Sequence, residues 1–260
     1  MNTDYVQPTR YFSLSYIIID SICLLFFLFL LLWKKKYITF LWSMFGGILY
    51  WIVDYGYFYL ISHSRTITVS IVDSIQTASN PITALVLLWM SLSYGILDFA
   101  FIWMWLGKEK DRKEFTWLII AYWCTIPLIS GFIDNISGMD IHFTTTRTTG
   151  KYHGAMALIM LIGYLILIVY NLTRKEKEEK ANIAKIFLIG FLSQFLWEFF
   201  LLVFNIRSSI YEGDMRREIM TLLQDSLIET NLGLPYMYFI QKSIAKRFRE
   251  DLVRMPSERK

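Results

Sequence analysis

Asp225 and Glu229 stand four residues apart inside an apolar run, residues 218–240, that is long enough to cross a bilayer. On a helix this spacing puts both carboxyls on one face, one turn from each other. An ionised carboxylate near the bilayer centre costs about 2.5–3.5 kcal/mol even on a lenient insertion scale. Two on one face call for a polar cavity, a cationic partner or a bound proton. Pro235, just past Asn231 and Gly233, interrupts the helical ladder and frees carbonyls that must face protein or water. The plain alternative is a helix-packing face with neutralised acids. The chemical one is acid catalysis: a protonated Asp or Glu in an apolar site can protonate an epoxide or an olefin. Nearby Tyr and Trp faces can then stabilise the developing cation, by about 2 kcal/mol when desolvated.

The elements that must position these acids are membrane helices. The chain has 260 residues, 55% of them hydrophobic and 17% aromatic, with mean hydropathy +0.41. That composition describes a polytopic membrane protein. Seven apolar runs fall at residues 14–33, 37–61, 81–106, 115–136, 154–172, 183–204 and 218–240. Their short connections predict one all-α domain over 1–260, a seven-transmembrane-helix bundle. Of the 26 Lys and Arg residues, 19 fall in the loops on one side and 7 on the other. The positive-inside rule then puts the N-terminus outside and the C-terminus in the cytoplasm. The expected location is a multi-pass position in the cell membrane or the endoplasmic reticulum membrane. Cys23 and Cys124 lie within apolar runs and read as small core residues. No cleavage site follows the first run, so it is expected to be retained.

With direction assigned, the rise of 1.5 Å per residue gives each acid a depth. Asp20, Asp54, Glu198, Asp225 and Glu229 converge on the outer leaflet, with Gln194 one turn from Glu198. Asp98 falls towards the cytoplasmic side. The convergence predicts a shared polar chamber open outward, whose wall includes Tyr50, Trp51, Trp197, Asn231 and Tyr236. Interfacial belts account for many of the other aromatic residues. The apolar runs hold no Lys or Arg deep enough to pair with these acids, so some of them are expected to be protonated. Phe45-x5-Trp51 and Phe191-x5-Trp197 share a spacing with acids just beyond, a faint sign of a parallel internal repeat.

Other chemistries find less support. His63, His142 and His153 fall in outer loops or at an outer helix end and lack zinc-site spacing. No G-x-S-x-G occurs, and no Lys lies inside the last run for a Schiff base. No metal and no nucleotide or redox cofactor is expected, and no nucleic-acid partner. The polar stretch between the fourth and fifth runs reads as a solvated connector, or else a lid.

The segment Glu229-Thr230-Asn231-Leu232-Gly233-Leu234-Pro235-Tyr236-Met237-Tyr238 resembles the acid–x–x–x–Gly–x–x–Tyr–x–Tyr region of the small seven-helix membrane terpene cyclases of fungal meroterpenoid and indole-diterpene pathways. Length and helix count agree. The resemblance implies a catalytic role for Glu229 in place of the family's Asp. The family's second catalytic acid is a Glu after a Trp on helix 2. Here that helix offers Trp51 with Asp54 three residues on, whereas an adjacent pair occurs as Trp197-Glu198 on helix 6. The expected function is a metal-independent cyclase or isomerase of a hydrophobic, prenylated or lipid-like molecule, with Glu229, Asp54, Glu198 and Asp225 as the catalytic acids and Tyr50, Trp51, Gln194, Trp197, Asn231, Tyr236 and Asp20 against the substrate. The alternative is a transporter or receptor binding a small amphipathic ligand, or protons, in the same chamber.

Overall fold

The fold was analysed in a computed structural model, which describes residues 9–71, 74–138, 140–148, 152–176, 179–208 and 215–254. Six helices are long and apolar enough to span a membrane. They are α1 (Leu14–Trp33), α2 (Tyr37–Trp51, continuing to Ile61), α3 (Asn80–Leu106), α4 (Arg112–Ser137), α5 (His153–Leu172) and α6 (Ile183–Val203). α3 is the most enclosed, with an unbroken buried stretch from Ser93 to Met104, while α5 is the least. The bundle exposes Ile22, Leu25, Phe26, Phe29 and Leu161, the surface a lipid environment requires.

α2 and α3 approach closely because small residues meet at their crossing. A Cβ added at Gly95 would lie 2.9 Å from the Gly47 Cα, and one at Gly46 would enter the Phe99 ring. Beyond Trp51, α2 loosens into a ten-residue π-helix, Ile52–Ile61, whose C-terminal Ser62 N–H donates to the Tyr57 carbonyl at 2.8 Å. Such winding is rare and concentrates at functional sites. It carries Asp54.

The seventh apolar run is not one helix. It forms α7 (Met215–Ile228), a turn over residues 229–233, and α8 (Leu234–Arg254). Pro235 sits in the first turn of α8, where its missing N–H costs nothing. The run's acidic first half makes α7 more polar than a lipid-facing helix. Six of the seven expected helices are thus continuous and long enough to span, and the seventh run is an interrupted segment.

The all-α expectation also needs correction at one end of the bundle, where a five-stranded antiparallel sheet lies. Its strands are β1 (Thr9–Ser13), β2 (Arg65–Ile71), β3 (Ser74–Thr77), β4 (Ile141–Arg147) and β5 (Arg207–Ser208), in the order β3-β2-β4-β1-β5. Every connection at that end contributes a strand, including the stretch expected to be a solvated connector. Alternating β-branched residues explain it: Arg-Thr-Ile-Thr-Val-Ser-Ile and Ile-His-Phe-Thr-Thr-Thr-Arg suit a half-buried strand better than a loop. The chain ends whose sidedness the basic residues predict lie outside the described residues.

Candidate functional site

The sheet carries a row of arginines. Arg65 of β2 lies opposite Arg147 of β4, and Arg10 of β1 lies opposite Arg207 of β5. Arg10 also faces Thr145, two residues from Arg147, so all four side chains leave one face of the sheet. Like charges directly opposite on neighbouring strands repel. All four arginines are nevertheless buried. Such a row holds only if anions meet it.

The helices supply four. Asp54 of the π-helix pairs with Arg65, and Glu198 of α6 pairs with Arg10. Arg147 donates from Nη2 to Asp225 Oδ2 at 2.7 Å and from Nη1 to Glu229 Oε2 at 2.9 Å. Arg207 spans Glu198 at 2.7 Å and Asp225 at 2.7 Å. Four cations thus meet four carboxylates. Burial opposes the charge on Arg147, yet Glu229, Asp225 and Glu198 outweigh it and hold its pKa well above the usual arginine value. At Arg10 burial prevails over the pull of Glu198, and the pKa is lowered. Four of the five acids expected to find no basic partner, Asp54, Glu198, Asp225 and Glu229, have at least one, because the arginines sit outside the apolar runs in sequence and fold inward on strands.

Neutral donors complete the network. Tyr94 Oη donates to Asp54 Oδ2 at 2.6 Å, Gln194 Nε2 donates to Glu198 Oε1 at 3.1 Å, and Thr230 Oγ1 donates to Gln194 Oε1 at 2.9 Å. The Arg10 guanidinium lies 4.5 Å from the centre of the Trp197 ring, and Tyr94 packs 4.8 Å from that ring.

Beside the network opens a cavity of about 380 Å³. Arg10, Arg65, Arg147, Asp54, Gln194 and Glu229 form its polar end. Trp42, Phe45, Leu49, Val53, Phe99, Met237 and Ile240 form an apolar wall. Phe45, Leu49, Val53 and Ile240 are exposed, so the cavity has a side mouth between α2 and α8. The arrangement suits an amphiphile with its polar part among the charges and its chain towards the mouth.

Of the residues singled out from the sequence, Tyr50, Asp54, Gln194, Trp197, Glu229 and Tyr236 line this cavity. Glu198 and Asp225 stand behind it, bound into the arginine network. Asp20 belongs elsewhere: it accepts from Trp89 Nε1 at 2.8 Å, Ser93 Oγ at 2.9 Å and Tyr122 Oη at 2.9 Å, between α1, α3 and α4. Trp51 stacks on Tyr55 at 5.7 Å and does not line the cavity. Asn231 is buried against Gly190 and Tyr164 at the α6–α8 junction. Asp98 is buried apart from the network, and its carboxylate finds no hydrogen-bond partner among the described residues.

Sequence reading missed the four arginines, Tyr94 and His153. His153 begins α5 and, from that helix end, reaches the acids. Its Nε2 is 3.5 Å from Glu229 Oε1 and 3.6 Å from Asp225 Oδ1, and its Nδ1 lies 3.1 Å from Gln224 Nε2. His153, Asp225 and Glu229 offer donor atoms within 4.8 Å of one another, the one such set among the described residues. A metal ion there would compete with Arg147, which already holds one oxygen of each carboxylate. No protein family, curated protein or solved structure matches this chain.

Proposed function

We propose that this chain is a multi-pass membrane protein, N-terminus outside and C-terminus cytoplasmic, that catalyses a metal-independent cyclisation or isomerisation of a prenylated, lipid-like substrate. The observation that carries this reading is the cavity with a side mouth, whose apolar wall leads directly to Glu229 and Asp54. In that reading the prenyl chain enters from the bilayer. A proton passes from Glu229 to an epoxide oxygen or olefin, the ring closes as the π-electrons attack the opened carbon, and the resulting cation loses a proton to Asp54. The ring faces of Trp42, Phe45, Tyr50 and Phe99 stabilise the intermediate cation. Arg147 holds Oε2, so Glu229 becomes a donor by taking a proton on Oε1, the oxygen that faces His153. His153, 3.5 Å from Oε1, can return the proton between turnovers.

A second reading, a carrier or receptor for an amphiphile, draws on the three arginines at the cavity's polar end. An alternating-access carrier needs a polar path onward to the other side of the bundle. Asp98, the acid placed to extend such a path, does not line this cavity and is fully buried on α3. That favours the enzyme. The test incubates the purified protein, with chelator and no added metal, with farnesylated and geranylgeranylated aromatic epoxides. Mass spectrometry should reveal a cyclic product of unchanged mass. Stoichiometric retention of substrate without conversion would favour the carrier instead.

A further inference from the structure

The arginine network is balanced as it stands: Arg10, Arg65, Arg147 and Arg207 meet Asp54, Glu198, Asp225 and Glu229. A proton taken up at Glu229 would leave the four cations against three carboxylates. An anion admitted alone would leave them against five. A buried charge without a counter-charge is strongly disfavoured, so neither change is easy by itself. Made together, the two changes cancel. The proton that the proposed reaction needs at Glu229 can therefore enter with an anion.

Glu229 is the member of the network placed for this exchange. Its side chain is 15% exposed, against 6% for Asp54, 3% for Asp225 and 0% for Glu198. Glu198 and Asp225 do not line the cavity, and Asp54 is held by both Arg65 and Tyr94. Glu229 accepts from Arg147 Nη1 at 2.9 Å, and both residues line the cavity. Arg147 also donates to Asp225 at 2.7 Å, so it stays in place when Glu229 lets go. The other titratable or charged groups around Glu229 are Arg10 of β1, Tyr50 of α2, His153 of α5, Glu198 of α6 and Asp225 of α7. Arg10 and Arg65 stand at the same polar end of the cavity. A carboxylate entering there would take the position that the Glu229 carboxylate gives up, and its planar oxygen pair matches the N–H groups of a guanidinium.

On the reading that Glu229 is the proton donor, we propose that the substrate's polar head is a carboxylate, as in a prenylated aromatic acid, and that its binding at Arg147 brings one proton to Glu229. The substrate carboxylate replaces Glu229 as the partner of Arg147 Nη1. Glu229, released, takes a proton from solvent on Oε1, the oxygen 3.5 Å from His153. The network then holds four cations, three carboxylates of its own and the substrate's, with no change in total charge. The acid is loaded only when a substrate is there to receive the proton. An uncharged head offers no such exchange and leaves Glu229 paired with Arg147.

The test measures binding of radiolabelled 3-dodecylbenzoate, an acid with no olefin to react, to the full chain in a non-ionic detergent between about pH 6 and pH 8. With an ordinary carboxyl pKa of about 4, the ligand is ionised throughout. One proton taken up per anion should weaken binding about tenfold for each unit of rising pH. Methyl 3-dodecylbenzoate, which has no charge, should show no such slope. Neither measurement needs a variant. Glu229→Gln supplies a neutral side chain at every pH, so it should bind the benzoate without a slope and, at the alkaline end, about tenfold or more tightly than the wild type. Its retention of the ester should stay within a few-fold of the wild type. A flat profile for the benzoate in the wild type would overturn the proposal. A slope that survives Glu229→Gln would do the same by assigning the proton to another group, and an equal slope for the ester would mean that pH acts on the protein itself. Turnover is scored separately. If the benzoate binds with its slope while no prenyl substrate is converted, the carboxylate site stands and the cyclase reading falls. Conversion of methyl 3-farnesylbenzoate in preference to the free acid would keep the cyclase reading and remove this inference.

Discussion

Arg65 and Arg147 face each other directly on neighbouring antiparallel strands, both buried, and neither is neutralised by its own sheet. Their counter-charges arrive from the π-helix and from the interrupted last segment. Sheet and helices are therefore tied by charge. Without the helix carboxylates the strand pairing is repulsive, and without the strand arginines the acids are unpaired in an apolar bundle.

Removing one partner should cost far more than removing both. Arg65→Met leaves Asp54 buried without its cation and should destabilise the protein by about 3–5 kcal/mol. Arg65→Met combined with Asp54→Asn removes both charges of this pair, and Tyr94 can still donate to the amide oxygen. The double variant should unfold at a higher denaturant concentration than Arg65→Met alone. Additive losses would mean that the pair is not coupled.

The sequence carried the helices and the acids plainly. Length and apolarity marked each span, and Pro235 with Gly233 marked where the last one breaks. The arginine row was not legible, for a physical reason. Each arginine lies in a different connection, separated from its carboxylate by 11 to 188 positions, and only strand register brings the four together. Register depends on which strands pair, and local pattern does not fix that choice. The alternation in Arg-Thr-Ile-Thr-Val-Ser-Ile was visible as a strand signal. Among long apolar helices, so short an alternation does not by itself outweigh the reading of a connector. Depth along a helix axis was equally insufficient for Asp20, since its azimuth turns it towards Trp89 and Tyr122 instead of the cavity.

Asp20, held by Trp89, Ser93 and Tyr122 away from the cavity, is a structural acid. Asp20→Asn leaves at least one of three buried donors without a full partner and should lower stability by about 1–3 kcal/mol. Turnover per folded molecule should be unchanged. A variant that folds with normal stability yet loses activity would return Asp20 to the site.

Close packing at Gly190 holds the interrupted segment in place. A Cβ there would lie 2.3 Å from Asn231 Oδ1 and 2.8 Å from Leu234 Cγ. Gly190→Ala should therefore destabilise by about 1–3 kcal/mol through overpacking. Gly131→Ala on α4 meets nothing within 4 Å and should stabilise its helix by about 0.5–1 kcal/mol. Thermal unfolding of the two variants side by side measures the difference, and equal shifts would dismiss the packing argument.

At the end of the bundle away from the sheet, Lys36 contacts Glu109 at 2.8 Å and Asp111 at 3.2 Å, joining the α1–α2 turn to the end of α3. Burial works against its charge, but the two carboxylates outweigh burial and raise its pKa. A raised lysine stabilises fully below its unfolded value and loses that contribution as pH climbs through the folded one. Stability should thus be flat near neutrality and fall as pH rises above about 10.5, by no more than about 1 kcal/mol from this partly exposed group. Lys36→Met should flatten that alkaline limb; an unchanged limb would assign it to other groups.

Glu229 decides the proposed reaction. Its Oε2 is held by Arg147 at 2.9 Å, its Oε1 lies 3.5 Å from His153, and it lines the cavity beside Thr230 and Tyr236. Glu229→Gln keeps the shape and an oxygen for Arg147 but removes the transferable proton. Turnover should fall by about 10²–10⁴, while retention of an unreactive prenyl aromatic, measured by co-purification, stays within a few-fold. Asp225→Asn, behind the cavity wall, should keep product formation and alter only its pH profile. Full activity in Glu229→Gln would remove this carboxyl as the acid. If chelator abolished wild-type activity, the cluster of His153, Asp225 and Glu229 would have to be read as a metal site, with Arg147 displaced from it.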